Sequence, residues 1–171
     1  MFACLAPQCL RAWHRNVCVP GTVPRVEVRK GERFGPTAWR RVTQEEIDAF
    51  ARISGDRQWI HTDVERARRE SPFGTTIAHG NLTLSLIDGF RDELVGAAPA
   101  GTRLGVNVGY DRVRFPAPVR AGAEVRATME IVSVTERDDG WVEVVQRFTV
   151  EVRDEDRPAC VADSVVRVLR A

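Results

Sequence analysis

The chain has 171 residues, 43% hydrophobic and 29% charged, with a formal net charge of +1. That length is enough for a single domain with a substantial core. Near-neutral charge gives no bulk electrostatic reason to expect a nucleic-acid or membrane partner. Lys30 is the only lysine among 25 basic residues, and the arginines are scattered as on a solvated surface. No apolar run reaches the ~18 residues that suggest a transmembrane helix. The cysteines Cys4, Cys9, Cys18 and Cys160 contain no C-x-x-C pair. They offer no zinc framework, and a reduced, cytoplasmic setting is the expectation.

Residues 1–20 lack any acidic residue and any clear hydrophobic period. They are expected to form a disordered extension, leaving 21–171 as one domain, with an extended piece near Val26-Glu27-Val28. A short strand is expected over Ala38–Val42. Thr43-Gln44-Glu45-Glu46 then reads as a capping box, Thr43 being the N-cap and Glu46 reaching back. Ile47, Phe50 and Ala51 share one face of the helix that follows, and Gly55 suits its left-handed C-terminal position. Asp56 therefore emerges just past a helix end. Thr62-Asp63-Val64-Glu65 reads as a second capping box, which starts a short helix directly after His61. Ser71-Pro72-Phe73-Gly74 breaks that helix.

The stretch from Leu82 to Leu94 predicts the most apolar helix, apolar nearly all round between 82 and 87 and therefore buried. The rest reads as strand. Leu104, Val106, Val108 and Tyr110 alternate with small or polar residues. The parity then slips to Val113 and Phe115, which suggests a β-bulge near Asp111-Arg112. Val125–Ile131 begins the next strand, Asp138-Asp139-Gly140 signals a hairpin turn, and Val142–Val152 and Cys160–Leu169 complete four long antiparallel strands. The class is α+β: one long buried helix wrapped by a curved antiparallel sheet.

Two of the three histidines fall between residues 50 and 90. Asp56 and His61 share a loop pinned by helix ends. An imidazole titrates near neutrality and a carboxylate can orient it, so the pair can move a proton to and from a water and a carbon. The alternative is an Asx turn at Asp56 and a His that merely closes a helix start. At His79-Gly80 a helix N-terminus can hold a carbonyl that gains negative charge, Gly80 allowing close approach; the alternative is a helix start where glycine is simply tolerated. Asp56, His61, Asp63 and His79 do not form H-x-x-x-H or H-E-x-x-H, so no metal is expected. No G-x-S-x-G elbow supports a serine nucleophile. Trp39, Trp59 and Trp141 are expected to pack in the core or a dimer contact, with Trp59 also a candidate wall of the pocket.

With FARISGDRQWIHTD from Phe50, FGTTIAHGNLTLSL from Phe73 and NVGYDRVRFPAPV from Asn107, the chain resembles the MaoC-like dehydratases, the (R)-specific enoyl-CoA hydratase (hydratase 2) family. It is most similar to their single-domain, nodulation-protein-N-like branch. The resemblance covers roughly residues 21–171. It implies a hot-dog fold, a homodimer with sheets joined edge to edge, and addition of water to a trans-2-enoyl-CoA, giving an (R)-3-hydroxyacyl-CoA, with no cofactor. It implies Asp56 and His61 as the catalytic pair and the Gly80 N–H as donor to the thioester oxygen. His79, Gln58 and Asn107 join Gly80 as candidate substrate contacts. Gln58-Trp59 stands where the commonest family signature has Asn-Pro, and Asp88 lies about where some relatives carry a serine. Thioester hydrolysis and a non-catalytic partner subunit are the alternative functions on this fold.

Overall fold

The structure is a computed structural model, and it describes residues 28–96 and 102–170. The expected extension over 1–20 and most of the extended piece near Val26–Val28 lie outside those residues. Two short strands, β1 (Arg33–Phe34) and β2 (Arg40–Arg41), precede three helices, α1 (Gln44–Ser54), α2 (Trp59–Thr62) and α3 (Val64–Glu70). The long helix α4 (Gly80–Val95) follows, and then β3 (Thr102–Arg114), β4 (Glu124–Glu136), β5 (Trp141–Val152) and β6 (Cys160–Arg170). The strands form one sheet in the order β1-β4-β5-β6-β3, with β2 pairing farther along β4, and every pairing is antiparallel. The expected α+β architecture is therefore present. Strand β1 had no clear signal, being only two residues long.

Strict alternation explains the sheet. Val125, Ala127, Met129 and Ile131 of β4 and Val142, Val144, Gln146, Phe148, Val150 and Val152 of β5 are buried, with half-buried residues between them. Ile87, Phe90 and Leu82 of α4 pack into the same cluster. Each such side chain contributes roughly 1.5–3 kcal/mol of burial free energy. The helix is more one-sided than its composition suggests: Leu84 and Leu86 are only half-buried, and Ser85 and Asp88 are exposed. The expected bulge is present, since pairing shifts between Asp111 and Arg114 and Arg112 has φ 52°. The β4–β5 hairpin closes through Gly140 at φ 82° and a bond from Arg137 N–H to Trp141 C=O of 2.8 Å.

Trp39 and Trp59 lie outside the core cluster. Trp39 is half-buried and carries the guanidinium groups of Arg126 and Arg153 at 4.5 and 4.7 Å, while Trp59 is half-buried beneath Arg66 at 4.4 Å. Both rings are thus cation–π platforms near the surface, outside the buried cluster.

Candidate active site

The site is assembled where the α1–α2 loop, the segment 76–78 and the start of α4 meet. Thr43 and Glu46 form the expected capping box at 3.3 and 3.0 Å, and Gly55 closes α1 at φ 80°, its N–H donating to Ala51. Asp56 then leaves the helix. Its carboxylate accepts from Gln58 N–H at 3.3 Å, so the Asx turn weighed above is real; yet the side chain remains exposed. A turn of this kind aims a carboxylate without saturating it.

His61 lies in the single helical turn of α2. That turn corrects the second capping box: Thr62 is its last residue, its hydroxyl facing the Arg57 and Gln58 carbonyls, and Asp63 caps α3 by accepting from Arg66 N–H at 2.9 Å. The His61 ring is 7% exposed. Nδ1 lies 2.7 Å from the Ile77 carbonyl and, facing an acceptor, must carry the hydrogen. In the neutral ring this leaves Nε2 as a lone-pair acceptor. Burial pushes the His61 pKa below its usual value, with the neighbouring His79 acting in the same direction and the Ile77 carbonyl and Asp56 opposing. The ring is therefore neutral near pH 7, the state a proton acceptor requires. Gln44 fixes the backbone beneath it. Its amide donates to the His61 carbonyl at 2.8 Å and its oxygen accepts from Thr76 at 2.5 Å. No spacing rule marks Gln44, because the contact spans 17 residues.

His79 is the N-cap of α4 and 3% exposed. It stacks on His61 with ring centres 3.8 Å apart and 27° between planes. Its Nε2–H donates to the Asp56 backbone carbonyl at 2.9 Å, and its Nδ1 is the one buried side-chain polar atom without a partner among the described residues. A buried unpaired acceptor costs about 1–3 kcal/mol, a burden more often found at functional sites than elsewhere. One carboxylate oxygen of Asp56 and one nitrogen from each ring lie within 4.8 Å of one another. A single water hydrogen-bonded at ~2.8 Å to two of them spans that distance. The same trio is the one group of possible metal ligands among the described residues.

Gly80 opens α4. Its helix has no side-chain N-cap bond, so the positive end of a 16-residue dipole is left to a ligand. Gly80, His61, Thr83, Ile77, Phe73 and Phe115 help line a cavity of about 290 Å³ whose wall is mostly apolar. A Cβ on residue 80 would sit 2.9 Å from the Phe115 ring, so only glycine fits there without displacing that ring. Asp56, His79, Gln58, Trp59 and Asn107 are not among the residues around this cavity, which meets the Asp56–His61–His79 trio through His61. Gln58 is exposed at the start of α2, and Asn107 turns to the Ser164 hydroxyl at 3.5 Å, at the far end of α4. The structure thus brings Asp56, His61, His79 and Gly80 together and leaves Asn107 elsewhere.

A long helix seated on a wrapped antiparallel sheet defines the hot-dog fold. Within that class the chain belongs to the MaoC-like family: the model of the MaoC like domain matches residues 26–152. It is 47% identical to 3-hydroxyacyl-thioester dehydratase Z of Mycobacterium tuberculosis over 137 residues, 80% of this chain and 89% of that one. It is 41% identical to Nodulation protein N of Rhizobium leguminosarum bv. viciae over 81% of this chain and 85% of that one. Among solved structures, a monoamine oxidase regulatory protein from Archaeoglobus fulgius superposes with a TM-score of 0.70 at 26% identity, covering 84% of this chain and 92% of that one. The chain is accordingly a hydro-lyase of this family.

Proposed function

We propose that the protein is an (R)-specific hydratase that adds water to a trans-2-enoyl-CoA, and in reverse dehydrates the (R)-3-hydroxyacyl-CoA. The observation that carries this is the juxtaposition of His61 and Asp56: one nitrogen of His61 and one carboxylate oxygen of Asp56 lie within 4.8 Å, and with Nδ1 2.7 Å from the Ile77 carbonyl, Nε2 is the nitrogen left to accept. Nε2 takes one proton from the water as its oxygen attacks C3 of the substrate. The Asp56 carboxylate accepts the water's other hydrogen and orients it. Electron density moves through the double bond to the thioester oxygen, where the Gly80 N–H, at the positive helix end, stabilises the enolate. The protonated His61 then returns its proton to C2, so one water is added and nothing else is consumed. The reaction so written uses no metal and no redox cofactor.

The assembly fits the same reading. Among the described residues β3 pairs only with β6, ends the sheet, and exposes Leu104, Val106 and Val108 at 40–49%. An unpaired apolar edge of this kind favours pairing with a second copy, and two chains joined along β3 would make one continuous sheet. Val106→Asp should then shift the protein from dimer to monomer in sedimentation.

The decisive assay is hydration of a series of trans-2-enoyl-CoA thioesters from crotonyl upward. Loss of the enoyl absorbance with the thioester intact, and an (R) product, is the expected outcome. Release of free CoA thiol instead would replace the proposal with thioester hydrolysis.

A further inference from the structure

The Asp56 loop is weakly secured by its own residues. Asp56 N–H reaches the Ser54 hydroxyl at 3.3 Å, the Asx turn is also 3.3 Å, and residues 52–58 are exposed. The shortest bond to this residue comes from outside the loop, from His79 Nε2–H to the Asp56 carbonyl at 2.9 Å. The same ring lies flat on His61, and Phe50 of α1 closes its surroundings at 5.1 Å. It does not line the cavity. His79 therefore touches both Asp56 and His61.

We propose that His79 is a positioning residue: its Nε2–H tethers the Asp56 loop and its ring seats the His61 imidazole, so that carboxylate and imidazole face one water. This goes beyond substrate contact at residue 79 and rests on the hydratase reading above. Two features separate this role from simple packing. The tether engages a backbone carbonyl that a shorter side chain could not reach. Its remaining nitrogen is left without a donor in a buried place, which an apolar residue of similar shape would avoid. Retention of the imidazole is explained by what Nε2 does.

The test compares side chains that keep one half of the role. In His79→Gln the amide nitrogen stands the same number of bonds from Cβ as Nε2, so the tether is kept without the ring. In His79→Asn the same amide is one carbon too short. In His79→Phe the stack is kept without the tether. Against an enoyl-CoA substrate, kcat for the Gln variant should fall by no more than about tenfold, and kcat for the Asn and Phe variants by about 10²-fold, the loss expected of a misplaced catalytic group. KM should stay within about threefold in all of them. Amide hydrogen exchange over residues 55–60 should quicken in the Asn and Phe variants and stay near wild type in the Gln variant. A rise in KM at constant kcat would make His79 a substrate contact and overturn the proposal. Equal kcat for Gln and Asn, with equal exchange, would also overturn it. If the Phe variant does not fold, the Gln–Asn pair decides alone. If the wild type is inert on every enoyl thioester, the hydratase reading fails, while the exchange comparison still decides whether the tether exists.

Discussion

The two ends of α4 each bury a polar cluster against the rest of the fold, and they are built on opposite principles. At the carboxyl end Arg91 donates to Gln146 at 2.8 Å, to Ser164 at 2.7 Å and to Asp88 at 2.5 Å, and Tyr110 and Asn107 reach Asp88 and Ser164. Among the described residues no buried side-chain atom there lacks a partner. At the amino end the helix has no side-chain cap, His79 keeps a buried acceptor unpaired, and an apolar cavity opens beside Gly80. A network whose buried atoms are all paired contributes rigidity and uniqueness. The other end has a buried acceptor without a partner, and there the proposed reaction is placed.

The largest effects should therefore fall on rate, at the amino end. Asp56→Asn and His61→Gln are each expected to lower kcat by about 10²–10⁴-fold, the span for losing a general acid or base. Asp56 is exposed, so its variant should melt near the wild-type temperature. Steady-state hydration kinetics beside a thermal melt check both, and wild-type rates in both variants would dissolve the contrast between the two ends.

Gly80→Ala comes next. The new methyl meets the Phe115 ring at 2.9 Å; overpacking of this kind costs about 1–3 kcal/mol. A shifted helix start should lower kcat/KM by about 10²-fold. Phe115→Leu in the same chain should recover much of the melting temperature. Activity that stays low in that double variant would show that the direction of the Gly80 N–H matters more than space.

How much of this contrast the chain announces follows from how local each cause is. The first capping box, the Gly55 stop and the Asp138–Gly140 hairpin turn are set by neighbours within a few residues, and each stands where its pattern places it. The nearness of Asp56 and His61 follows from the same kind of local spacing, since they stand five residues apart across the connection from α1 to α2. The support around them is not local. Gln44 reaches across 17 residues to His61 and 32 to Thr76, and His79 reaches back 23 to Asp56. Asn107 lies beyond the same limit: the pairing of β3 with β6 sets it against Ser164, 57 residues away in sequence. Thr62 was mistaken for a cap because a four-residue helix such as α2 has too few positions to show a period.

At the carboxyl end the expected effect is smaller and of another kind. Arg91→Met removes three donated bonds and leaves Gln146 and Ser164, both buried, short of a partner. An unsatisfied buried group costs about 1–3 kcal/mol, and for a chain of this size each kcal/mol lowers Tm by about 2–4 °C. Activity per folded molecule should be unchanged. A kcat loss as large as that of His61→Gln would place part of the chemistry at the saturated end.

The smallest effect is the pH dependence that burial gives His61. Its pKa in the folded chain lies below the ordinary 6.5. As pH falls through 6.5, the unfolded chain takes up a proton at this position before the folded chain does, so stability declines with acidification until the folded pKa is passed. His61→Gln removes the titration. The drop in Tm between pH 7.5 and pH 5.5 should then be smaller in the variant than in the wild type, by a few °C at most. The acid limb of wild-type kcat/KM should fall below pH 6.5 for the same reason, since the neutral ring is the form that accepts the proton. In Arg91→Met both the limb and the pH dependence of Tm should remain as in the wild type, because nothing at that end of α4 titrates with His61. A limb displaced above pH 6.5 would mean that the carboxylate of Asp56 outweighs desolvation at the ring, and the proton acceptor would then have to be sought at Asp56.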